Sequence, residues 1–372
     1  MTISIQHEVV LVLLVGILGM LCTFAPTCNA DPDKLHRPNW LINIPPEFER
    51  RRNNSNLRRF EVTDMHTDGK TPMLVHLGEL LDERIKHVDG YTDGEFVDVM
   101  EHFFWGKRRG IAMELGALDG TWRTKSQTEE MEDFEWKRIL IDGNPKYRET
   151  MPKHSPRAYC VLGAICSSDG QNRIVHYHDK DYVGGILEFM GGDFLKDYHK
   201  EVYQAGNPPG DLSTVDWNSA ALANQGIHPI DCIPLHVILK RAHVEHINFF
   251  ILDVEGGEFE VLQSVQWAHT TFDVLCIETE TVNRPAGYAA KITGYLKDRG
   301  YVEYGYIGRN AWYIHKDFTP SIRPGIRKDC FNGARKSALA DANWTKRRND
   351  KFIPCKDLPA DIVSFDTEKK VN

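Results

Sequence analysis

The sequence contains no Cys-x-x-Cys pair and no group of cysteines and histidines at the spacing of a zinc site, although it has eight cysteines. It also lacks an excess of basic residues, since its formal net charge is -8 and its isoelectric point is about 6.1. The first absence argues against a structural zinc site. The second argues against a nucleic-acid partner, because proteins that bind nucleic acid usually present a basic surface to the phosphates.

Charged residues are also missing from the apolar run Val9 to Ala25. We therefore predict that residues 1–30 are a signal peptide or a signal anchor, and the run is long enough to leave membrane anchoring open. Either outcome places the protein in the secretory pathway, secreted or held in the membrane of the endoplasmic reticulum or Golgi. The tripeptides at 53–55 and 343–345 fit the N-glycosylation pattern, which agrees with this localisation.

The cysteines are compatible with an oxidising compartment. Two of them, Cys22 and Cys28, lie in the predicted targeting segment, which leaves an even set of six. Pairing within this set is possible in a secretory lumen. Spacing does not give the connectivity, and Cys330 with Cys355 is the pair that we would test first.

The remaining chain divides into three parts by composition. Residues 31–75 are polar and interrupted by prolines, which is typical of a stem or linker. Residues 76–317 alternate short apolar runs with helical stretches, which predicts an α/β domain whose mainly parallel sheet has helices on both faces. The alternation ends near 318, so residues 318–372 are interpreted as an irregular C-terminal extension.

Several elements of the α/β domain can be placed. An amphipathic helix is predicted between Gly94 and Trp105. The predicted strands are Ile111–Leu115, Arg138–Ile141, Ala158–Ala164, Ile174–His178, Ile247–Leu252, Val274–Glu278 and Ala311–His315. The predicted helices between them are Lys125–Phe134, Leu235–Ala242, Phe259–Val265 and Ala289–Arg299.

A glycine-rich turn follows the first of these strands, where residues 114–120 read ELGALDG. Glycines allow close approach of the backbone to a ligand, and the terminus of a helix that follows such a turn offers unpaired N–H groups. A dinucleotide fingerprint would need Gly-x-Gly-x-x-Gly, but this turn has only Gly116 and Gly120 after an acidic residue. The pattern favours a cationic cofactor without a phosphate, although such a turn is often purely structural.

Two further strands end in acidic residues. Asp142 closes the second strand, where a carboxylate can accept hydrogen bonds from both ribose hydroxyls; residues 142–145 also suit an ordinary surface turn. Asp253 and Glu255 follow the strand Ile247–Leu252, and Glu258 begins the next helix. Because ligands of open α/β sheets bind at the carboxyl ends of the strands, Asp253 or Glu255 is the candidate general base. The alternative is that these acids only cap a helix.

From Met113 to about His315 the chain resembles the FkbM-type S-adenosylmethionine-dependent methyltransferases. The resemblance rests on ELGALDG at 114–120, IDGNP at 141–145, AICSSDG at 164–170 and LDVEGGE at 252–258. It implies a Rossmann-like class I methyltransferase fold with a seven-stranded, mainly parallel sheet. It also implies S-adenosylmethionine as cofactor and a small-molecule or glycan hydroxyl as the acceptor of an O-methylation.

The mechanism of methyl transfer suggests further site residues. A base must take the hydroxyl proton, for which Asp253 and Glu255 are the catalytic candidates and His176 and His228 the lesser ones, and the scheme requires no metal. The segment from Tyr182 to Pro229 interrupts the regular pattern and is the candidate acceptor lid. The implied cofactor-binding residues are Glu114, Gly116, Ala117, Asp119, Gly120, Asp142, Asn144, Ala164 and Asp253.

The chain departs from the family pattern at residues 126–128, where Ser-Gln-Thr replaces the common Ser-Asn-Thr. Its turn and its apolar N-terminus are also similar to the Star-like animal membrane proteins of the same family, which act in trafficking. A non-catalytic, methyltransferase-like trafficking or interaction protein is therefore the alternative function. The two functions differ in whether Gly116, Asp142 and Asp253 converge on a cleft of ligand size.

Overall fold

The computed structural model describes residues 38–49, 62–65, 71–85, 94–167, 173–206, 215–279, 287–307 and 309–326. The chain divides into two units, residues 1–41 and 42–372. The described part of the first unit is a turn at 38–40 and the first residue of a strand. The predicted targeting segment, both glycosylation tripeptides, Cys330 and Cys355 lie outside the described residues, so these predictions stay predictions. Among the described helices, none has the length and apolar character needed to cross a membrane.

The described strands form one large sheet and two smaller ones. The large sheet has eight strands in the order β1-β6-β5-β4-β11-β12-β14-β13, and a second sheet has the order β7-β10-β8-β9. A two-stranded ribbon pairs β2 with β3. The strands are β1 (Leu41–Asn43), β2 (Thr63–Asp64), β3 (Lys107–Arg108), β4 (Ile111–Leu115), β5 (Lys137–Asp142), β6 (Tyr159–Leu162), β7 (Ala164–Ile165), β8 (Ile174–His178), β9 (Gly185–Ile186), β10 (Ile227–Ile233), β11 (His246–Leu252), β12 (Thr271–Glu278), β13 (Tyr301–Ile307) and β14 (Asn310–His315).

The structure confirms an α/β protein but corrects the details of the sheet. It has eight strands instead of seven and is mixed, because β14 runs antiparallel to both of its neighbours, while β6, β5, β4, β11 and β12 are parallel. The predicted strand Ala158–Ala164 is interrupted at Gly163 into β6 and β7, which belong to different sheets. The predicted strand Ile174–His178 is correct in its bounds, but it lies in the second sheet.

The described α-helices are α1 (Pro46–Glu49), α2 (Thr71–Ile85), α3 (Glu95–His102), α4 (Tyr147–His154), α5 (Gly192–Tyr198), α6 (Lys200–Gly206), α7 (Leu235–Ala242), α8 (Glu258–Gln263) and α9 (Tyr288–Lys297). Four predicted helices therefore have their counterparts in α3, α7, α8 and α9. The predicted helix Lys125–Phe134 is wrong: only Glu129–Phe134 is helical and it is a 3-10 helix, because the preceding residues turn around a buried acid, as described below.

The large sheet is covered on both faces. On one face, α2, α3 and the 3-10 helix pack against the strands, and Trp312 of β14 stacks between Phe103 and Phe249 at centroid distances of 5.5 and 5.9 Å. The neighbouring residue Tyr313 points to the opposite face, where its hydroxyl lies 2.9 Å from Thr293 Oγ1 of α9. Burial on both faces explains why the central strands are nearly continuous apolar runs.

Two stretches outside the regular pattern also pack on this domain. The boundary predicted at residue 75 falls inside α2. At the other end of the domain, the backbone N–H of Ser321 donates a hydrogen bond to Phe103 O. Arg323 Nη1 lies 2.7 Å from Glu101 Oε1 of α3. The first described residues of the predicted C-terminal extension are therefore attached to the α/β domain.

The order of the strands determines where a ligand binds. From β4 the chain moves outward to β5 and β6, and it later returns to β11 on the other side of β4. The carboxyl ends of β4 and β11 therefore lie at the point where the winding reverses, which is the usual binding position in open α/β sheets.

Candidate functional site

A cleft of about 480 Å³ lies at this point, at the carboxyl ends of the parallel strands. Its volume falls in the range of small-molecule sites. The second sheet contributes one wall, through Tyr177 of β8 and residues 182–186. The lining combines apolar side chains with several carboxylates.

The cleft brings together most of the acids predicted from the sequence. Its lining includes the predicted residues Glu114, Gly116, Asp142, Ala164, Asp253 and Glu255. It does not include Ala117, Asp119, Gly120 or Asn144. Contacts between a cofactor and these four residues therefore stay a prediction, and the lining of the cleft does not support it.

Gly116 is required by the packing of the two central strands. It has a φ of +85°, and a Cβ atom at this position would lie 2.0 Å from the backbone carbonyl oxygen of Asp253. The backbone N–H of Asp253 in turn donates to Leu115 O at 3.2 Å. The glycine thus allows the ends of β4 and β11 to meet, whereas the sequence interpretation assigned it to the approach of a ligand.

Glu114 holds the loop that follows the turn. Its carboxylate accepts hydrogen bonds from Ser126 Oγ (2.8 Å), the Gln127 N–H (2.9 Å) and Thr128 Oγ1 (2.6 Å). Burial raises the pKa of Glu114, an effect that nearby Arg138 and these hydrogen bonds oppose. Because the carboxylate has three donors from its own chain, its principal role is to fix residues 126–128, the segment that departs from the family pattern.

Arg138 completes this arrangement from β5. Its guanidinium is buried, with an exposed fraction of 1%, and donates to Gly120 O (2.6 Å), Ser126 Oγ (2.9 Å) and Thr128 Oγ1 (3.0 Å). The loop therefore lies between two buried charges. Gln127 of this loop and the preceding residue Lys125 line the cleft.

Asp142 lies at the end of β5, as predicted. One carboxylate oxygen accepts the Leu118 N–H and the other the Asn144 N–H, both at 2.7 Å. Burial raises the pKa of Asp142 to about 7, although both backbone hydrogen bonds act in the opposite direction. Each oxygen keeps a second lone pair, so the carboxylate can still accept hydroxyl groups from the cleft.

The other residues of the predicted turn have structural roles. Asp119 accepts hydrogen bonds from Thr121 and Thr124, and His154 Nδ1 lies 2.9 Å from its second oxygen. Burial acts to raise the pKa of Asp119, but these hydrogen bonds together have the larger effect and lower it. Asn144 donates its side-chain amide to Asp179 at 2.8 Å. A Cβ at Gly120 would lie 2.5 Å from side-chain atoms of its neighbours.

The turn after β11 presents the two candidate bases. Asp253 is half-buried, and Glu255 is 7% exposed with a φ of +54°. Glu258 braces this turn, since it accepts the Gly256 N–H at 3.1 Å and the Tyr288 hydroxyl at 2.6 Å. The structure therefore confirms that Glu258 begins a helix and leaves Asp253 and Glu255 facing the cleft.

The sequence interpretation missed three residues that line the cleft, Glu95, Arg309 and Asn310. Glu95 of α3 accepts a hydrogen bond from Asn310 Nδ2 at 2.7 Å, and Arg309 Nη1 lies 2.9 Å from Glu278 Oε1. Carboxylate oxygens of Glu278, Asp253 and Glu255 lie within 4.8 Å of one another. Glu95, Arg309 and Asn310 belong to no motif, and the only available signal was the position of Glu95 at the start of a helix and of Arg309 and Asn310 at the start of a strand.

The predicted lid is in part an ordinary packed structure. Trp217 is buried in an apolar cluster with α5 and α6, and Tyr203 packs on this cluster. Tyr182, in contrast, is 57% exposed and lines the cleft, with Lys125 Nζ 5.4 Å from its ring centroid. Residues 207–214 lie outside the described residues, so acceptor binding by this segment stays a prediction.

The two histidines that were lesser candidates for the general base, His176 and His228, lie outside the lining of the cleft. His176 Nδ1 lies 2.7 Å from Glu188 Oε1, and His228 pairs across the sheet with Tyr177. Neither histidine lines the cleft. The carboxylates at the end of β11 are therefore the better placed acid–base groups.

The comparison with known proteins agrees with this geometry. The family model described as the methyltransferase FkbM domain matches residues 114–303, a little more than half of the 372 residues. No curated protein and no solved structure matches the chain. The matched range contains Asp142 and Asp253, whereas Glu95, Arg309 and Asn310 of the same cleft lie outside it.

Proposed function

Because the chain belongs to the FkbM methyltransferase family, we propose that it transfers a methyl group from S-adenosylmethionine to a small-molecule or glycan hydroxyl. The observation that carries this proposal is the convergence of Gly116, Asp142 and Asp253 on one cleft of about 480 Å³. This convergence supports a methyltransferase over a protein that only keeps the fold.

The residues of the cleft fit the proposed cofactor. Asp142 offers the free lone pairs of a carboxylate to ribose hydroxyls, at the position where open α/β sheets bind nucleosides. Apolar lining from Leu118, Ile141 and Ile165 suits an adenine ring. The carboxylate of Asp253 suits a cationic group at the other end.

S-adenosylmethionine would supply an electrophilic methyl group on a cationic sulfonium. The chain has two tasks in this scheme. It must hold the acceptor hydroxyl in line with the methyl group, because positioning lowers most of the barrier of such a displacement. It must also accept the hydroxyl proton as the new C–O bond forms and the C–S bond of the sulfonium breaks, which would leave S-adenosylhomocysteine. Asp253 and Glu255, which line the cleft, are the proposed bases.

We also propose that the protein acts in the secretory pathway. Cys166 and Cys232 form a disulfide between β7 and β10. Structural disulfides are characteristic of oxidising compartments and rare in the cytosol. This pair differs from the Cys330–Cys355 pair that the sequence singled out, and it supports the localisation suggested by the apolar N-terminus.

Calorimetric titration of the full-length protein with S-adenosylmethionine and S-adenosylhomocysteine tests the cofactor. We expect micromolar binding that falls by at least about tenfold in Asp142→Ala, since hydrogen bonds to a charged group contribute roughly 1.5–3 kcal/mol. Asp193→Ala is the control, because Asp193 is exposed on α5 and does not line the cleft. Folded wild-type protein that binds neither compound would contradict the proposal and favour the non-catalytic alternative.

The same titration has an expected pH dependence. Since the pKa of Asp142 is raised to about 7, its carboxylate becomes fully ionised only above this pH. An ionised carboxylate accepts hydroxyl hydrogen bonds more strongly than a protonated one. Affinity should therefore increase between pH 6 and pH 8 in the wild type, and the increase should be absent in Asp142→Asn.

A further inference from the structure

The hairpin between β13 and β14 brings Arg309 to the acidic end of the cleft. Arg309 precedes β14, and its backbone carbonyl accepts the Thr279 N–H at 3.1 Å just after the end of β12. Asn310 pairs with Glu278 in the sheet. The backbone at Arg309 and Asn310 is therefore held against the end of β12, and the guanidinium lies 2.9 Å from Glu278 Oε1 while lining the cleft.

Arg309 is placed among several negative charges that come from different elements. Glu95 faces it from α3, Asp253 and Glu255 from the turn after β11, and Glu278 from β12. Burial acts to lower the pKa of Arg309, but attraction by Glu278, Asp253, Glu255 and Glu95 raises it above the ordinary value.

Only one other basic side chain is found among the described residues that line the cleft. This is Lys125, whose ammonium group lies against the ring of Tyr182 and whose loop is fixed by Glu114. Arg309 is therefore the cation that is fixed by a direct ion pair to the carboxylate cluster. Carboxylates so close together repel one another and would otherwise bind protons.

We propose that Arg309 is a positioning residue whose guanidinium offsets the repulsion among the carboxylates of Asp253, Glu255 and Glu278, so that the three can lie side by side and this end of the cleft attracts a cationic group. The inference rests on the proposed function for the identity of that group, which is the sulfonium of S-adenosylmethionine. S-adenosylhomocysteine has a neutral thioether at the same position. Arg309 therefore controls how the cleft discriminates the two molecules as the pH changes.

The test compares the wild type with Arg309→Lys, Arg309→Met and the double variant Arg309→Met/Glu278→Gln. Each full-length protein is titrated with S-adenosylmethionine and S-adenosylhomocysteine from pH 6 to pH 8. In Arg309→Met the ratio of the two affinities should change by about tenfold over this range, because one pKa unit corresponds to a tenfold change in protonation. The wild type and Arg309→Lys, which keep a positive charge, should show a smaller change.

Thermal unfolding of the same variants supplies a readout that needs no cofactor. Arg309→Met leaves carboxylates without their cation, so its Tm should fall on the order of 5 °C more at pH 8 than at pH 5. Removing one carboxylate as well, in the double variant, should restore most of this loss. If Arg309→Met does not fold but the double variant does, the countercharge role is supported.

The outcomes separate the two proposals. Wild-type protein that binds no S-adenosylmethionine contradicts the proposed function, while the pH-dependent loss of Tm and its rescue would still support the countercharge. The inference about Arg309 would be overturned by a different result: the cofactor still binds, and both the affinity ratio and the Tm respond to pH equally in Arg309→Met and Arg309→Lys.

Discussion

The two walls of the cleft are stabilised in different ways. The large sheet contributes the ends of β4, β5 and β11, whose strands are buried on both faces by apolar side chains over a wide area. The second sheet contributes the opposite wall from β8 and β9, with a small apolar cluster, one disulfide and a pair of buried histidines. The comparison indicates that the proposed cofactor-binding acids stand on the extensively packed side. The facing wall depends on a few specific bonds, so it should respond to chemical conditions that leave the large sheet intact.

The strongest disturbance of the large sheet is expected from Gly116→Ala. The new Cβ would clash with the Asp253 carbonyl oxygen, and the alanine would have to adopt a positive φ. We therefore expect a loss of roughly 4 to 5 kcal/mol in unfolding free energy. Denaturant unfolding measures this loss, and cofactor binding should disappear with it.

Gly294→Ala is the matched control for this change. Gly294 lies inside α9, and a Cβ there would meet no atom within 4 Å. Alanine is the better helix former, so this variant should gain roughly 0.5–1 kcal/mol. Equal effects of the two glycine substitutions would refute the close approach of β4 and β11 as the reason for Gly116.

The second sheet should depend on its disulfide. We expect Cys166→Ser/Cys232→Ser to lose about 3 kcal/mol, because the bond closes a loop with a sequence separation of 66 residues. Hydrogen exchange should become faster in β7, β8 and β10 and stay slow in β4 and β11. Cys160→Ala, which removes a buried thiol from β6, should affect the large sheet instead. Uniformly faster exchange in both sheets would show that the two walls unfold together.

The smallest of these effects is a pH dependence that arises next to the second sheet, where His199, between α5 and α6, contacts His178 of β8. His199 Nδ1 lies 2.5 Å from His178 Nδ1, and burial, together with the charge of His178, lowers the pKa of His199 to about 4. In the unfolded chain a histidine titrates near 6.5, so the unfolded state binds more protons between these values. The stability contributed by neutral His199 is complete above about pH 6.5 and is lost as the pH falls toward 4.

Denaturant unfolding at pH 7 and pH 5 tests this dependence. Between pH 7 and pH 5 the wild type should lose about 2 kcal/mol more in unfolding free energy than His199→Gln, and the comparison of the two proteins cancels the opposite contribution of Asp142, whose pKa is raised to about 7. His269→Gln is the control, because His269 is exposed. A pH dependence that survives in His199→Gln would assign the effect to other groups.

The success of the sequence interpretation depended on how the individual strands are buried. The strands β4, β5, β11, β12 and β14 were predicted within a few residues, because burial on both faces leaves apolar runs that end in turn residues. The strand β10 was missed, since it contains Pro229 and exposed polar residues and begins inside the segment predicted as a lid, which ends at Pro229. The strand β13 was missed too; it lies at the sheet edge, where the successive residues Val302 and Glu303 are both exposed.

The candidate site shows the same division. Asp142 and Asp253 were predicted correctly to face one cleft, because the carboxyl ends of parallel strands meet at one edge. The main role of Glu114 was not predicted, since its partners at 126–128 form hydrogen bonds that no local pattern announces. The packing role of Gly116 was equally hidden, because the carbonyl that requires it belongs to a strand more than a hundred residues away.

The sequence by itself therefore determined the family, the α/β class and the strand ends that carry Gly116, Asp142 and Asp253, because these depend on local periodicity and on short motifs. Only the tertiary structure decided that Glu95 and Asn310, separated by 215 positions, meet at 2.7 Å, that Arg309 faces the carboxylates, and that Cys166 pairs with Cys232. Each of these contacts joins residues brought together by the order of the strands. A contact of this kind depends on the packing of the whole domain, so it leaves no signal in the segments that form it.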